Sequence, residues 1–211
     1  MLRDRGLLTV SLGTALFLAA LAARGWHAGH LRYGFLIWNL FLAWVPLLLA
    51  LVAEPLAARR RDLSLLAVAA AWLLFLPNAP YVVTDLMHLR RVPPTPLWYD
   101  AILLGIAATT GLLAGAFALA RMQSAVAVRV SDRASWLVPL VAIPASGLGI
   151  YLGRFERLNS WDALLHPLAV LRSVLGSLGP RALVVSAAMA GLFAMVYLAL
   201  GPTMERSRRR T

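Results

Sequence analysis

The chain has 211 residues, of which 61% are hydrophobic and only 14% charged, and its mean hydropathy is +0.76. A soluble domain is typically about 45–50% apolar and about 25% charged, so a single core cannot hide this much apolar surface from water. The composition therefore excludes an ordinary soluble fold. It also excludes intrinsic disorder, because disordered chains are poor in apolar residues.

The net charge of +11 comes from arginine alone, since all 20 basic residues are Arg. In a soluble protein this balance would point to nucleic acid. Here the arginines stand in short clusters between apolar runs, which is typical of membrane topology signals, so we expect no nucleic-acid partner. The chain has no cysteine, which excludes disulfides, thiolate nucleophiles and cysteine metal sites.

Several stretches are long and apolar enough to cross a bilayer, which takes about 20 mostly apolar residues. They leave little chain for a separate soluble domain. The sequence therefore predicts an all-α fold, a single polytopic membrane bundle of about six transmembrane helices. The predicted spans are 7–23, 34–53, 63–83, 101–120, 136–153 and 182–200, and residues 204–211 are predicted to form a basic cytoplasmic tail.

The first apolar stretch also fits a signal peptide, because Arg3 and Arg5 precede it and small residues end it. We expect an uncleaved helix, because a multispanning protein needs no separate signal. Two segments outside the spans have their own patterns. The stretch 164–178 is apolar but broken by His166 and Pro167, which predicts a short interfacial helix in the last outer loop. Residues 122–135 are predicted to continue the fourth helix into the cytoplasm.

The orientation follows from counting arginines in alternate segments. With a cytoplasmic N-terminus, 12 arginines lie on the cytoplasmic side and 8 on the other. The compact cluster 59–61 and the tail strengthen this bias, since clusters next to span ends count most. We predict that both termini are cytoplasmic.

The polar residue types collect at the predicted outer ends of the spans. All four histidines and four of the nine acids fall there. Polar groups near hydrocarbon are costly unless they are paired or hydrated, so they are functional candidates. The candidate catalytic residues are Asp85, His88, Asp100 and Asp162, and the candidate substrate-binding residues are Asn39, Asn78, Tyr81, Tyr99, Arg154, Asn159 and Trp161.

The spacing of these residues leaves several chemistries open. Asp85 and His88 are three residues apart, and Asp162 and His166 are four apart, so each pair shares a face if its segment is helical. Such pairs suit acid–base chemistry or a divalent metal. Structural ion pairs and helix caps are a third interpretation. The pattern favours this interpretation most and a metal site least. Arg154 suits a phosphate or carboxylate headgroup. No cofactor is assigned.

Two prolines interrupt the third predicted span where it reaches the outer surface. Pro77 and Pro80 free backbone carbonyls, and irregular backbone at this depth persists only if it is buried in protein or lines a cavity. Asn78 is expected either to bond the freed backbone or to face a ligand. Tyr81 is expected either to anchor at the interface or to face a ligand. Gly111 and Gly115 are expected to let two helices approach closely.

Four motifs stand in order along the chain: 37–46 (IWNLFLAWVP), 75–86 (FLPNAPYVVTDL), 98–100 (WYD), and 151–155 (YLGRF) with 159–162 (NSWD). Together they resemble one family of bacterial membrane proteins, called domain of unknown function 1361. The similarity covers roughly residues 31–171. It implies a polytopic bacterial membrane protein, and it implies no activity. We expect the protein in the bacterial inner membrane.

Three functions are compatible with this pattern. The first is an envelope enzyme in which the polar cluster acts on a lipid or lipid-linked substrate. The second is a non-catalytic membrane binding or assembly protein. The third, a small transporter acting as an oligomer, has the least support, because few polar residues lie near the middle of a span. Membrane lipid is the expected partner in all three.

Overall fold

The structure is a computed structural model that describes residues 2–177 and 179–208, with side chains for residues 5–177 and 179–200. Within these ranges the secondary structure is helical and contains no β-strand. Six helices are long and apolar enough to cross a membrane: Arg5–Ala28, Phe35–Ala58, Asp62–His88, Leu97–Ala127, Asp132–Phe155 and Pro180–Leu200. The predicted all-α bundle with six spans is confirmed.

The six spans alternate in direction along the chain. The loops 29–34 and 89–96 therefore lie at one end of the bundle, which we call the site end. The loop 59–61 lies at the other, which we call the Arg60 end. The helices are α1 (Leu2–Ala28), α2 (Phe35–Ala58), α3 (Asp62–Phe75), α4 (Asn78–Tyr81), a 3-10 helix (Val82–His88), α5 (Leu97–Ala127), α6 (Asp132–Ser135), α7 (Leu137–Phe155), α8 (Asp162–Leu165), α9 (Pro167–Ser177) and α10 (Pro180–Arg208).

The third span is broken at its prolines, as the sequence indicates. Helix α3 ends at Phe75, α4 follows Pro77, and the chain then tightens into the 3-10 helix. Proline lacks an N–H and clashes with the preceding turn, and two prolines three residues apart favour a break in the helix here. The side-chain amide of Asn78 donates a hydrogen bond to the Phe75 carbonyl over 2.9 Å. This bond satisfies backbone that the break leaves free.

Helix α5 is central and packs against α1, α2, α7, α10 and the 3-10 helix. Its small residues let the broken span come close. A Cβ at Gly111 would lie 2.5 Å from the Ala79 carbonyl oxygen, and one at Gly115 would lie 3.1 Å from the Ala79 Cβ. The close approach predicted for these glycines is thus made with α4, and it holds the broken span against the centre of the bundle.

The prediction that the fourth helix continues over 122–135 is wrong beyond Ala127. Helix α5 ends there, a turn follows, and the separate short helix α6 precedes α7. The Ser131 hydroxyl accepts a hydrogen bond from the Ala134 N–H over 3.1 Å. Serine in this position caps a new helix start, which separates α6 from α5.

The last long connection contains the predicted short apolar helix, α9. Its residues Leu168, Leu171 and Leu175 are 69%, 53% and 65% exposed. They are spaced three and four residues apart, so they form one stripe along the helix. The helix is confirmed, and its place in the membrane interface stays a prediction.

Candidate functional site

The sequence predicts a polar cluster at the site end, and its best-connected member is Arg154, at the end of α7. Its Nη2 lies 2.5 Å from the Asp85 Oδ1, and its Nε donates to the Thr84 hydroxyl over 2.9 Å. Its Nη1 lies 3.3 Å from the His88 Nε2, and the guanidinium carbon lies 4.5 Å from the centre of the Tyr81 ring. The short segment 81–88 therefore surrounds the guanidinium on several sides.

The Asp85 carboxylate is buried, with only 1% of its side chain exposed. Its second oxygen, Oδ2, accepts a hydrogen bond from the Asn39 amide over 2.8 Å. Both carboxylate oxygens are therefore occupied, one by a cation and one by a neutral donor. A buried charge needs such partners, because an unpaired carboxylate in a low-dielectric interior is strongly disfavoured.

A second ion pair lies at the same end and joins α1 to α5. Arg24 binds Asp100 in a bidentate manner, with Nε–Oδ1 at 2.7 Å and Nη2–Oδ2 at 3.2 Å. Neither side chain is exposed at all. The Tyr33 hydroxyl donates to the Asp100 Oδ2 over 3.3 Å, and the Tyr33 ring packs against the guanidinium. Within the described residues the Arg24 Nη1 has no hydrogen-bond partner.

The residues Arg24 and Tyr33 are not among the sequence candidates. The spans drawn from hydropathy place Arg24 just beyond the first helix, whereas α1 continues to Ala28. The only sequence signal for Arg24 is that it follows the apolar run by one residue. An ordinary arginine at the membrane interface has the same pattern. Tyr33 offered no signal, because an aromatic residue near a span end is common.

A partly open cavity of about 610 Å³ lies between α2, α3, α7 and the segment that contains α8 and α9. We call it the groove. Away from the site end its walls are apolar, and leucines from all three long helices line it. At the site end it is bordered by amides, hydroxyls and indoles: Trp38, Asn39, Asn78, Tyr81, Asn159, Ser160 and Trp161.

Five of the seven candidate substrate-binding residues line the groove: Asn39, Asn78, Tyr81, Asn159 and Trp161. The other two do not. Arg154 packs against the ring of Tyr81. Tyr99 lies at the contact between α1 and α5, where its hydroxyl donates to the Ala20 carbonyl over 2.8 Å.

The four candidate catalytic residues fall in three places. Asp85 and His88 both contact Arg154, and Asp100 belongs to the neighbouring pair with Arg24. Asp162 stands apart. Its Oδ2 accepts from the Asn159 N–H over 2.6 Å and from the Asn159 amide over 3.3 Å, at the start of α8.

The metal candidates Asp85, His88, Asp162 and His166 can be compared with this geometry. Across the described part of the chain, no three His, Asp or Glu side chains come together in a group that could hold a metal ion. His166 lies just after α8 and is exposed. Asp85 already binds an arginine and an asparagine. The described part of the site end therefore contains ion pairs beside a groove that no charged residue lines.

A comparison with protein-family models matches residues 38–196 to the family described as "Protein of unknown function (DUF1361)". The chain belongs to this family. In this DUF1361 protein the matched region contains the whole lining of the groove and the pair Asp85–Arg154, and it begins after Arg24 and Tyr33. Searches of the curated proteins and of the solved structures found no match.

Proposed function

We propose that this DUF1361 chain is a bacterial inner-membrane protein that binds a lipid or a lipid-linked molecule in the groove. The hydrocarbon chain of that molecule lies along the leucine-lined walls, and its headgroup lies at the site end. Both termini are cytoplasmic in this proposal, which follows the arginine distribution, so the site end faces the opposite side of the membrane.

The groove is the observation that carries this proposal. Its volume of about 610 Å³ falls within the roughly 300–1,000 Å³ typical of ligand sites. It is apolar along the membrane-spanning helices and polar only near their ends. That division matches the division of a lipid into chain and headgroup.

The ion pairs support binding more than proton transfer by the aspartates. Asp85 and Asp100 each hold an arginine, and each also accepts a hydrogen bond from a neutral donor. Midway along the spans, the Thr110 and Ser146 hydroxyls donate to carbonyls one turn earlier in their own helices. These hydroxyls therefore give no support to a polar transport path.

Photocrosslinking from the groove wall tests the binding proposal. A benzophenone amino acid replaces Leu73, which lines the groove, or Leu66, which lies on the same helix, is 67% exposed and does not line it. The full chain is irradiated in native membranes, and the lipids attached to it are identified by mass spectrometry.

We expect position 73 to capture one lipid class in excess over the bulk membrane, and position 66 to capture lipids in bulk proportions. The same bulk composition at both positions would overturn the proposal. Adducts to protein alone at position 73 would also overturn it, because another polypeptide would then occupy the groove.

An envelope enzyme acting on the bound lipid is the second candidate, and His88 is the observation that favours it. The side chain of His88 is exposed and its Nε2 lies 3.3 Å from the Arg154 Nη1. An accessible imidazole beside a fixed cation suits acid–base chemistry. The enzyme hypothesis is tested by comparing the lipid composition of cells that express the wild type with that of cells that express His88→Ala. The metal content of the purified protein is measured in parallel. If the substrate lipid accumulates, the enzyme is supported; if lipid composition does not change at equal protein level, catalysis by His88 is excluded.

A further inference from the structure

The groove differs from the rest of this protein, whose net charge is +11, in the charge of its residues. None of the described residues that line it is charged. Arg154, which contacts the lining residue Tyr81, already contacts Asp85, Thr84 and His88. A phosphate or carboxylate headgroup that enters this lining would therefore give up hydration without meeting a cation among the lining residues, which is unfavourable.

Taken together, the polar side chains that line the groove can instead both donate and accept hydrogen bonds. Asn78 uses its side-chain N–H groups on the Phe75 carbonyl and the Ser160 hydroxyl, which leaves its Oδ1 as a free acceptor. Ser160 accepts that bond and keeps its own O–H to donate. The Tyr81 hydroxyl makes no hydrogen bond to the described residues, and it too can donate or accept.

Asn39 adds an acceptor of the same kind, since its amide nitrogen is engaged by Asp85 and its Oδ1 is not. The indoles of Trp38 and Trp161 stand at the same end of the groove. A sugar or another polyol presents hydroxyls that both donate and accept, together with C–H faces that pack on aromatic rings. Of the common headgroup types, it is the one that matches these partners without requiring a charge.

We infer that the headgroup bound at the site end is uncharged and polyhydroxylated, as in a glycosyl lipid. This inference rests on the proposed binding function and narrows it from lipids in general to one chemical class of headgroup.

Competition between two lipids with the same acyl chains tests the inference. The full chain is purified in an amine-oxide detergent, because a sugar-headed detergent would occupy the site. Monoglucosyl-dioleoylglycerol or dioleoyl-phosphatidylglycerol is then titrated, and the bound fraction is measured by native mass spectrometry.

The most informative variant is the double substitution Tyr81→Phe with Ser160→Ala, which removes two hydroxyls and leaves the Tyr81 ring under Arg154. The matched control is Tyr151→Phe, which removes a tyrosine hydroxyl from α7 outside the groove. A third variant, Ala70→Phe, fills the groove, and its control, Ala22→Phe, adds the same bulk to an exposed position on α1.

We expect the glucosyl lipid to bind the wild type at least about tenfold more tightly than the phospholipid, and the double variant to lose most of that preference. Tyr151→Phe should retain it, and Ala70→Phe should weaken binding of the glucosyl lipid while Ala22→Phe does not.

Equal or stronger binding of phosphatidylglycerol, sensitive to Ala70→Phe, would overturn the inference and leave lipid binding in the groove intact. If neither the double variant nor Ala70→Phe changes binding of the glucosyl lipid, the lipid binds outside the groove. That result would overturn both the inference and the proposed binding function. Failure of both lipids to bind would overturn the inference and contradict the binding function.

Discussion

The amide of Asn39 donates a hydrogen bond to the Asp85 Oδ2 over 2.8 Å, and this contact connects the groove to the ion pair behind it. Asn39 lines the groove, whereas Asp85 is buried and holds Arg154 through its other oxygen. The ion pair therefore fixes the orientation of a groove residue, although neither Asp85 nor Arg154 lines the groove. It also ties α2 and α7 to the broken third span.

The first prediction concerns the pair Asp85–Arg154. Replacing Arg154 with Met should lower the free energy of unfolding by about 3–5 kcal/mol, because it leaves a buried carboxylate without its cation. The double variant Asp85→Asn with Arg154→Met should recover part of that loss. Unfolding in detergent micelles, followed by circular dichroism, measures both.

The pair Arg129–Asp62 at the Arg60 end is the matched control for this measurement. Its side chains are 22% and 67% exposed. Because solvent screens such a pair, Asp62→Ala should cost no more than about 1 kcal/mol. Equal losses for Arg154→Met and Asp62→Ala would contradict the role assigned to the buried pair.

The second prediction concerns the fully buried pair Arg24–Asp100. The Arg24 Nη1 lacks a partner within the described chain, and an unsatisfied buried donor costs about 1–3 kcal/mol. The double variant Arg24→Met with Asp100→Asn should therefore be close to wild type in stability or above it, while Arg24→Met alone should lose about 3–5 kcal/mol. Asparagine keeps an acceptor for the Tyr33 hydroxyl. A double variant as unstable as the single one would show that the charges themselves are needed.

The third prediction concerns the close approach of α5 and α4. Gly111→Ala should destabilise the fold by about 1–3 kcal/mol, because its Cβ would meet the Ala79 carbonyl oxygen at 2.5 Å, and backbone cannot move aside easily. Gly105→Ala is the control on the same helix, since nothing lies within 4 Å of a Cβ there. That change should stabilise by about 0.5–1 kcal/mol. The thermal unfolding temperature should therefore fall for Gly111→Ala and rise for Gly105→Ala.

The fourth prediction concerns orientation in the membrane. The chain has no native cysteine, so single cysteines at His88 and Arg60 report cleanly, and both positions are exposed. A membrane-impermeant maleimide added to intact spheroplasts should label His88→Cys and leave Arg60→Cys unlabelled until the membrane is opened. Labelling of both from the same side would refute the six-span topology, and labelling of Arg60→Cys alone would reverse the orientation.

Features that depend on local chain chemistry can be predicted from the sequence alone. The six spans follow from the hydropathy of continuous stretches, and the break in the third follows from Pro77 and Pro80. The sequence also placed Asn39, Asn78 and Asn159 at span ends on the same side. An even alternation of spans then brings them to one end of the bundle, whatever the details of packing.

Which of these residues contact each other depends on how the helices pack. Arg154 is close in sequence to Asp162 and far from Asp85, yet it binds Asp85, 69 residues away. Arg24 binds Asp100, 76 residues away, although no spacing in the sequence relates the two residues. Such pairings depend on how each helix is rotated about its axis and how closely the helices cross, and small residues such as Gly111 set that distance. Hydropathy specifies that these helices cross the membrane, whereas packing determines which of their residues face each other.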